Sequence, residues 1–210
     1  MSRMGIIVNV DECIGCHACF IACKQENQVS PKIQWNRIRK LENRDQNIIN
    51  YFRASCQHCD DPACLKVCPM KAVYKGPHGE VLIDQAKCIA CKACLAACPY
   101  GMPMFNDQKL TSYFGDKQPL FSPSNPPTKN AQPGKAEHCT LCSHRLAEGR
   151  EPACVEICPA KALTLVDFDA PTEKQKKLLA KAVKLKASVD TKPKVRYICS
   201  NMNFREVALK

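Results

Sequence analysis

Apolar residues dominate Gly5–Val10 (GIIVNV) with the period-two alternation of a strand, and this stretch runs almost directly into Cys13. A second alternating stretch, VYKGPHGEVLID at residues 73–84, flanks Gly76-Pro77-His78-Gly79 and reads as a β-hairpin. Towards the C-terminus, Thr172 with Gln175 makes a capping box, and Leu178, Leu179, Ala182 and Leu185 form one apolar face of a helix. Lys174, Lys176, Lys177, Lys181, Lys184 and Lys186 fill the remaining face, as on a docked helix with one side in water. Pro193 then opens an extended segment, KVRYICSNMNF, expected as a strand or arm on the surface. Residues 107–137 carry little periodicity and much Pro, Ser, Asn, Gly and Lys, the pattern of a long inserted loop. Phe105, Tyr113, Phe114, Leu120 and Phe121 favour ordering of this loop by a partner over plain disorder. No run of about eighteen apolar residues occurs, so no membrane span is expected.

Cysteine dominates the segments between these elements. All of the 17 cysteines except Cys199 fall into four groups: Cys13, Cys16, Cys19, Cys23; Cys56, Cys59, Cys64, Cys68; Cys88, Cys91, Cys94, Cys98; and Cys139, Cys142, Cys154, Cys158. The third group, CIACKACLAACP, is C-x2-C-x2-C-x3-C-P, a cubane-cluster signature whose fourth cysteine usually serves a neighbouring cluster. Four thiolates per cluster imply four [4Fe–4S] clusters and single-electron transfer. Zinc is the competing reading, but zinc modules separate two C-x2-C pairs by a dozen or more residues and do not chain three short gaps into a proline. For Cys199 a free thiol is expected. His17 and His58 lie between ligands and His138 precedes one; with all four sets filled by sulfur, they are expected at the surface or hydrogen-bonding around a cluster.

Composition and charge then look different. The hydrophobic share is 45% with cysteine counted, and roughly 37% without the grouped cysteines, a thin supply for an ordinary core. The clusters are therefore expected to be the centre of the core. The formal charge of +11 suggests nucleic acid until ligation is counted. An oxidised cubane with four thiolates carries about −2, so four bring the chain to about +3, and one added electron on each to about −1. Lys and Arg thus largely balance the clusters, and no nucleic-acid partner is expected. A secreted disulfide scaffold is disfavoured, because MSRMGIIVNV has neither an apolar signal core nor a cleavage site, nor a twin-arginine pair. The chain is read as carrying no address of its own.

The groups repeat as a pair. CIGCHACFIACK matches CIACKACLAACP, and CQHCDDPACLKVCPMKAV matches CTLCSHRLAEGREPACVEICPAKAL. The expected fold is α+β: two pseudo-symmetric modules, each like a two-cluster bacterial ferredoxin, with short strands and helices and long loops. Residues 51–106 form the inner module, 4–50 with 135–170 a discontinuous outer module, 107–134 the inserted loop, and 171–210 the C-terminal helix and arm. Crossed ligation within each module assigns Cys13, Cys16, Cys19 with Cys158; Cys139, Cys142, Cys154 with Cys23; Cys56, Cys59, Cys64 with Cys98; and Cys88, Cys91, Cys94 with Cys68. The fourth cysteine of each group is expected on the helix after its loop, and Pro69, Pro99 and Pro159 turn the chain behind it; group one has Lys24 instead. The gap from Cys142 to Cys154 reads as a loop insertion. Nothing resembles a nucleophile–base pair, a P-loop or a dinucleotide fingerprint, so no catalytic residue is expected.

Residues 4–170 as a whole, with Cys-Pro-Tyr-Gly at 98–101 and the long loop before group four, resemble the four-cluster iron–sulfur (beta) subunits of the dimethyl-sulfoxide-reductase superfamily. The sulfur-, arsenic- and sulfoxide-handling branches look nearest. The resemblance implies a wire running to a molybdenum or tungsten bis-pyranopterin catalytic subunit from the Cys13, Cys16, Cys19, Cys158 end. The Cys68, Cys88, Cys91, Cys94 end would face a quinone-reactive membrane anchor or another redox partner. It also implies membrane association through partners, with co-export favoured over a cytoplasmic place. A cytoplasmic polyferredoxin of a formate or hydrogenase system is the alternative.

If the clusters make up the core, removing iron unfolds the chain. Anaerobic chelation followed by circular dichroism is expected to abolish most of the folded signal; a retained native spectrum would contradict it.

Overall fold

In a computed structural model, residues 2–107, 132–185, 188, 190–207 and 209 are described. Tyr113, Phe114, Leu120, Phe121 and Lys186 lie outside them. The fold is a small α+β arrangement of short elements. β1 (Met4–Asn9) is the middle strand of a three-stranded sheet. It pairs antiparallel with β8 (Leu163–Asp167), Val8 opposite Leu163. On its other edge it pairs in parallel with β9 (Val195–Ile198), Ile6 opposite Val195. The alternation in GIIVNV sorts its side chains between two cores. Ile6 and Val8 join the main core, which includes Cys19, Cys23, Cys56, Cys59, Cys139, Cys154 and Cys158. Ile7 packs with Val166 and Ile198 beneath α6 (Glu173–Lys181).

The expected hairpin is present as β4 (Val73–Lys75) and β5 (Val81–Ile83), with Gly79 at φ +71° closing the turn. The capping box of α6 is also present: Gln175 N–H donates to Thr172 Oγ1, and Thr172 N–H to Gln175 Oε1. The helix ends at Lys181, sooner than its apolar periodicity suggests. Ala182 is extended, Val183 bridges Tyr197, and Leu185 is buried in the main core from beyond the helix. Backbone pairing with Tyr197 outcompetes another helical turn there.

The C-terminal segment is not a surface arm. Val195 and Tyr197 are at most 1% exposed. The Tyr197 ring stacks on Phe204 at 5.3 Å, and Phe52 meets both edge-on. Backbone bonds from Asp60 N–H to Lys192 O, Asp61 N–H to Thr191 O and Lys194 N–H to Gln57 O fasten the segment to the loop of the second cysteine group. An edge left open by β1 and a row of apolar residues decided this burial, and neither is local to the tail.

Two pairings lie outside the sequence expectations. β2 (Asn36–Asn43) and β3 (Ile48–Ser55) form the longest hairpin, and the expected division at 50/51 falls inside β3. β6 (Met104–Asn106) pairs with β7 (Lys135–Glu137) and clasps the base of the insertion.

The helices follow the prolines. α2 (Ala63–Lys66), α3 (Ala93–Ala97) and α5 (Ala153–Glu156) begin beside the third cysteine of their groups and last one turn. Cys68, Cys98 and Cys158 lie just past them, not on them as expected. A residue before proline is driven from α geometry, and Cys98 is extended at φ −74°, ψ 116°. α1 (Ala18–Asn27), with Lys24 in place of proline, continues through Cys23. Lys24 Nζ instead donates to the carbonyls of Ser30, Pro31 and Ile33, at 2.6, 3.0 and 2.5 Å, and folds the following loop back. The Cys142–Cys154 gap is not simply a loop: it holds α4 (Ser143–Ala147). Buried Arg145 ties that helix to Glu26 of α1, to Glu156 and to the Glu151 carbonyl.

Lys194 anchors the tail. It is 1% exposed, donates to the Gly79 carbonyl at 2.5 Å and lies 3.8 Å from Asp60. Burial, helped by the charge of Lys75, lowers its pKa to about 8 against an ordinary 10.5. Between pH 8 and 10.5 the unfolded chain therefore binds more protons, so this residue makes stability rise with pH across that window. Guanidinium unfolding of the loaded protein from pH 7.5 to 10 is expected to show a shallower rise for Lys194→Met than for the native chain. Identical slopes would rule out this role.

Candidate metal centres

The cysteine loops reach their shape by left-handed backbone. Gly15 and Ala90, each two residues after the first cysteine of groups one and three, have φ +69° and +64°. His17 and Lys92, two residues further on, have +63° and +60°. His58 and Leu141 occupy the position two past the first cysteine of groups two and four, again at positive φ, and each donates its N–H to that cysteine's sulfur at 3.4 Å. At Gly15 the conformation is joined by a close approach, since a Cβ would stand 2.7 Å from the Tyr51 ring.

These loops bring the sulfurs into four sets. Cys13, Cys16, Cys19 and Cys158 line one cavity. Cys23, Cys139, Cys142 and Cys154 line a second. Cys56, Cys59, Cys64 and Cys98 line a third, and Cys68, Cys88, Cys91 and Cys94 a fourth. Each cavity combines three cysteines of one group with one from another. None of the cysteines forms a disulfide. Among the described residues no three Cys, His, Asp or Glu side chains converge as a single ion would need. Four thiols around an open space instead suit a group several ångströms across, with soft sulfur donors throughout.

The cavities lie in a row. The Cys13 and Cys23 cavities share a wall, the side chain of Arg53. From Ala136 to Cys139 the chain passes three of them: Ala136 lines the Cys68 cavity, His138 the Cys56 cavity and Cys139 the Cys23 cavity. Neighbouring sets also feel each other's charge. Burial chiefly, with a sulfur of the adjacent set adding to it, raises the pKa of Cys19 (from Cys154), of Cys56 (from Cys139) and of Cys64 (from Cys94). The row ends at the surface, because Cys16 and Cys91 are exposed while all four sulfurs of the Cys23 cavity are buried. Exposed Ile14, Ile21 and Ile157 lie at or near the first end, and Val67, Met70 and Ile89 at the other.

Burial dominates the thiol chemistry. It pushes Cys19, Cys64 and Cys142 up to about 12, and Cys59 and Cys94 to about 11, with neighbouring thiols adding to the rise. At neutral pH these five thiols stay protonated until a metal group replaces the protons. His58 and His138 are both buried and held below the ordinary histidine range by burial, hence neutral; His17 is exposed. His58 Nδ1 accepts from Val81 N–H, and the two buried rings meet edge-to-face at 6.2 Å. Cys199, half-buried and raised by burial, stands apart from all four sets beside Asn201.

Three polar side chains around the sulfurs were not expected from sequence. Asn27 Nδ2 lies 3.8 Å from Cys23 Sγ and 3.7 Å from Cys142 Sγ, and its place four residues after Cys23 on a helix could have signalled it. Thr191 Oγ1 donates to Cys59 Sγ at 3.0 Å from a segment that no local pattern connects to Cys59. Arg53 lies three residues before Cys56 but points towards other sulfurs.

Four tetrathiol cavities in a row define a multi-centre iron–sulfur protein. A family model described as a 4Fe-4S dicluster domain matches residues 48–113 and 120–168, and one described as a 4Fe-4S binding domain matches residues 10–26. The chain is 35% identical to the arsenate respiratory reductase iron-sulfur subunit of Shewanella sp. (strain ANA-3), over 94% of this chain and 97% of that one. It is 34% identical to the B subunit of the anaerobic dimethyl sulfoxide reductase of Escherichia coli, over 97% and 92%. It is 36% identical to the B subunit of the polysulfide reductase of Wolinella succinogenes, over 92% of each. The chain belongs to this family, the iron–sulfur subunits of dimethyl-sulfoxide-reductase-type complexes. It is an electron-transfer subunit with four [4Fe–4S] clusters, not a catalytic one.

Hydrogen bonds to sulfur favour the reduced, more negative state. Thr191→Val is therefore expected to lower the potential of the cluster at Cys59 by tens of millivolts, the scale of one hydrogen bond. A redox titration followed by electron spin resonance measures it, and an unmoved potential would contradict the assignment of that bond.

Proposed function

We propose that the chain relays single electrons between a molybdenum or tungsten pterin catalytic subunit and a quinone-linked membrane anchor or other redox partner. The row of four cavities, exposed at both ends and buried between, carries this reading. The clusters supply the one-electron chemistry; the chain's residues order them, keep water from the middle of the row and present its ends. Exposed isoleucines and a methionine beside the two outer cavities suit docking faces, because apolar patches on a polar surface mark contact sites. The relatives named for arsenate, dimethyl sulfoxide and polysulfide reduction support a catalytic partner of that reductase kind. Among the described residues no helix is long and apolar enough to cross a membrane.

The ligand sets of this proposal are the crossed ones: Cys13, Cys16, Cys19, Cys158; Cys23, Cys139, Cys142, Cys154; Cys56, Cys59, Cys64, Cys98; and Cys68, Cys88, Cys91, Cys94. Their support is the shared lining of each cavity. The proposal also includes two pseudo-symmetric modules, with groups two and three inside and groups one and four outside. Matching left-handed residues support it: Gly15 with Ala90, His17 with Lys92, and Lys71 with Lys161.

Cys98→Ser decides between crossed and sequential ligation. It is expected to perturb the spin signal and potential of the cluster at Cys56, Cys59 and Cys64 and to spare the one at Cys88, Cys91 and Cys94. The opposite pattern refutes the crossed assignment.

A further inference from the structure

Arg53 of β3 is 1% exposed, and its side chain lines both the Cys13 and the Cys23 cavities. Nη1 donates to Ser55 Oγ at 2.7 Å, and Nη2 lies 3.7 Å from Cys139 Sγ. Nε is buried without a hydrogen-bond partner. No Asp or Glu among the described residues pairs with this guanidinium. A buried, unpaired cation is costly, and it persists where an anion compensates it. Sulfurs surround it from both sides, Cys23, Cys139, Cys142 and Cys154 in one cavity and Cys13, Cys16, Cys19 and Cys158 in the other.

We propose that Arg53 is the shared electrostatic partner of the two outer-module clusters, and that its fixed charge raises the reduction potentials of both. The proposal rests on the crossed ligand sets. Each added electron places negative charge beside the same guanidinium, so reduction of either cluster is favoured. Because guanidinium does not deprotonate in the physiological range, the effect is constant with pH.

The test uses the cluster-loaded chain in its complex, with native, Arg53→Gln and Arg53→Lys forms titrated under electron spin resonance. Cys16→Ser and Cys142→Ser serve as references that identify the signals of the first two cavities. Arg53→Gln is expected to make both of those clusters at least tenfold harder to reduce, which is 59 mV for one electron, and to leave the Cys68-cavity cluster unchanged. Arg53→Lys, which keeps the charge, is expected to recover most of each shift. Unmoved potentials, or an equal shift in all four clusters, overturn the proposal. If Arg53→Gln does not load the two cavities, recovered iron content in Arg53→Lys supports the need for charge, and equal loss in both variants refutes it. Failure of the ligand sets has a separate signature: the two cysteine references would then disturb signals other than two distinct neighbouring clusters.

Discussion

Sulfur has to be gathered here in fours drawn from distant parts of the chain, and most of it has to be buried. An isolated thiolate in an apolar interior is expensive, and neighbouring thiolates repel. Without metal, burial keeps Cys19, Cys59, Cys64 and Cys142 protonated. Closure of the four sets therefore couples folding to metal binding. The surrounding elements answer this need: left-handed loops wrap sulfur, one-turn helices turn back, and the clasp of β6 with β7 returns the chain to the row.

The same closure explains why cysteines of all four groups stand within or against the main core beside its aliphatic and aromatic side chains. Phe52, Tyr197 and Phe204 make one aromatic knot, and β1 threads between β8 and β9 beside it. The last strand therefore does two jobs. It completes the sheet, and the segment before it delivers Thr191 to Cys59 and Lys194 to the hairpin turn. Polar groups are admitted to this interior where they meet sulfur, the backbone or each other, as with Arg53, Asn27 and Gln57. Electrons need this arrangement because a dry, fixed surrounding holds the potentials of the centres steady, while exposed sulfur at Cys16 and Cys91 gives the row its entrances.

Much of this was legible in the chain. The C-x2-C-x2-C-x3-C spacing identifies the metal group, because one short loop has to meet one cubane corner geometry. Alternation located β1 and the β4–β5 hairpin, and Thr172 with Gln175 located the start of α6. The β2–β3 hairpin escaped notice because its buried positions include Asn36, Asn50 and Arg53 while Ile49 is exposed, which breaks any apolar rhythm. The end of α6 and the burial of the tail escaped because both depend on pairing partners far off in sequence.

By itself the sequence determined the type of centre, the number of thiols and the sites where Pro69, Pro99 and Pro159 turn the chain behind α2, α3 and α5, since all of these arise within a dozen residues. Tertiary structure decided how the cavities adjoin one another and which side chains stand between them. Those outcomes depend on contacts between segments that nothing local connects. Arg53, three residues from one cysteine group, ends beside the sulfur of another because β3 turns it across the wall of two cavities.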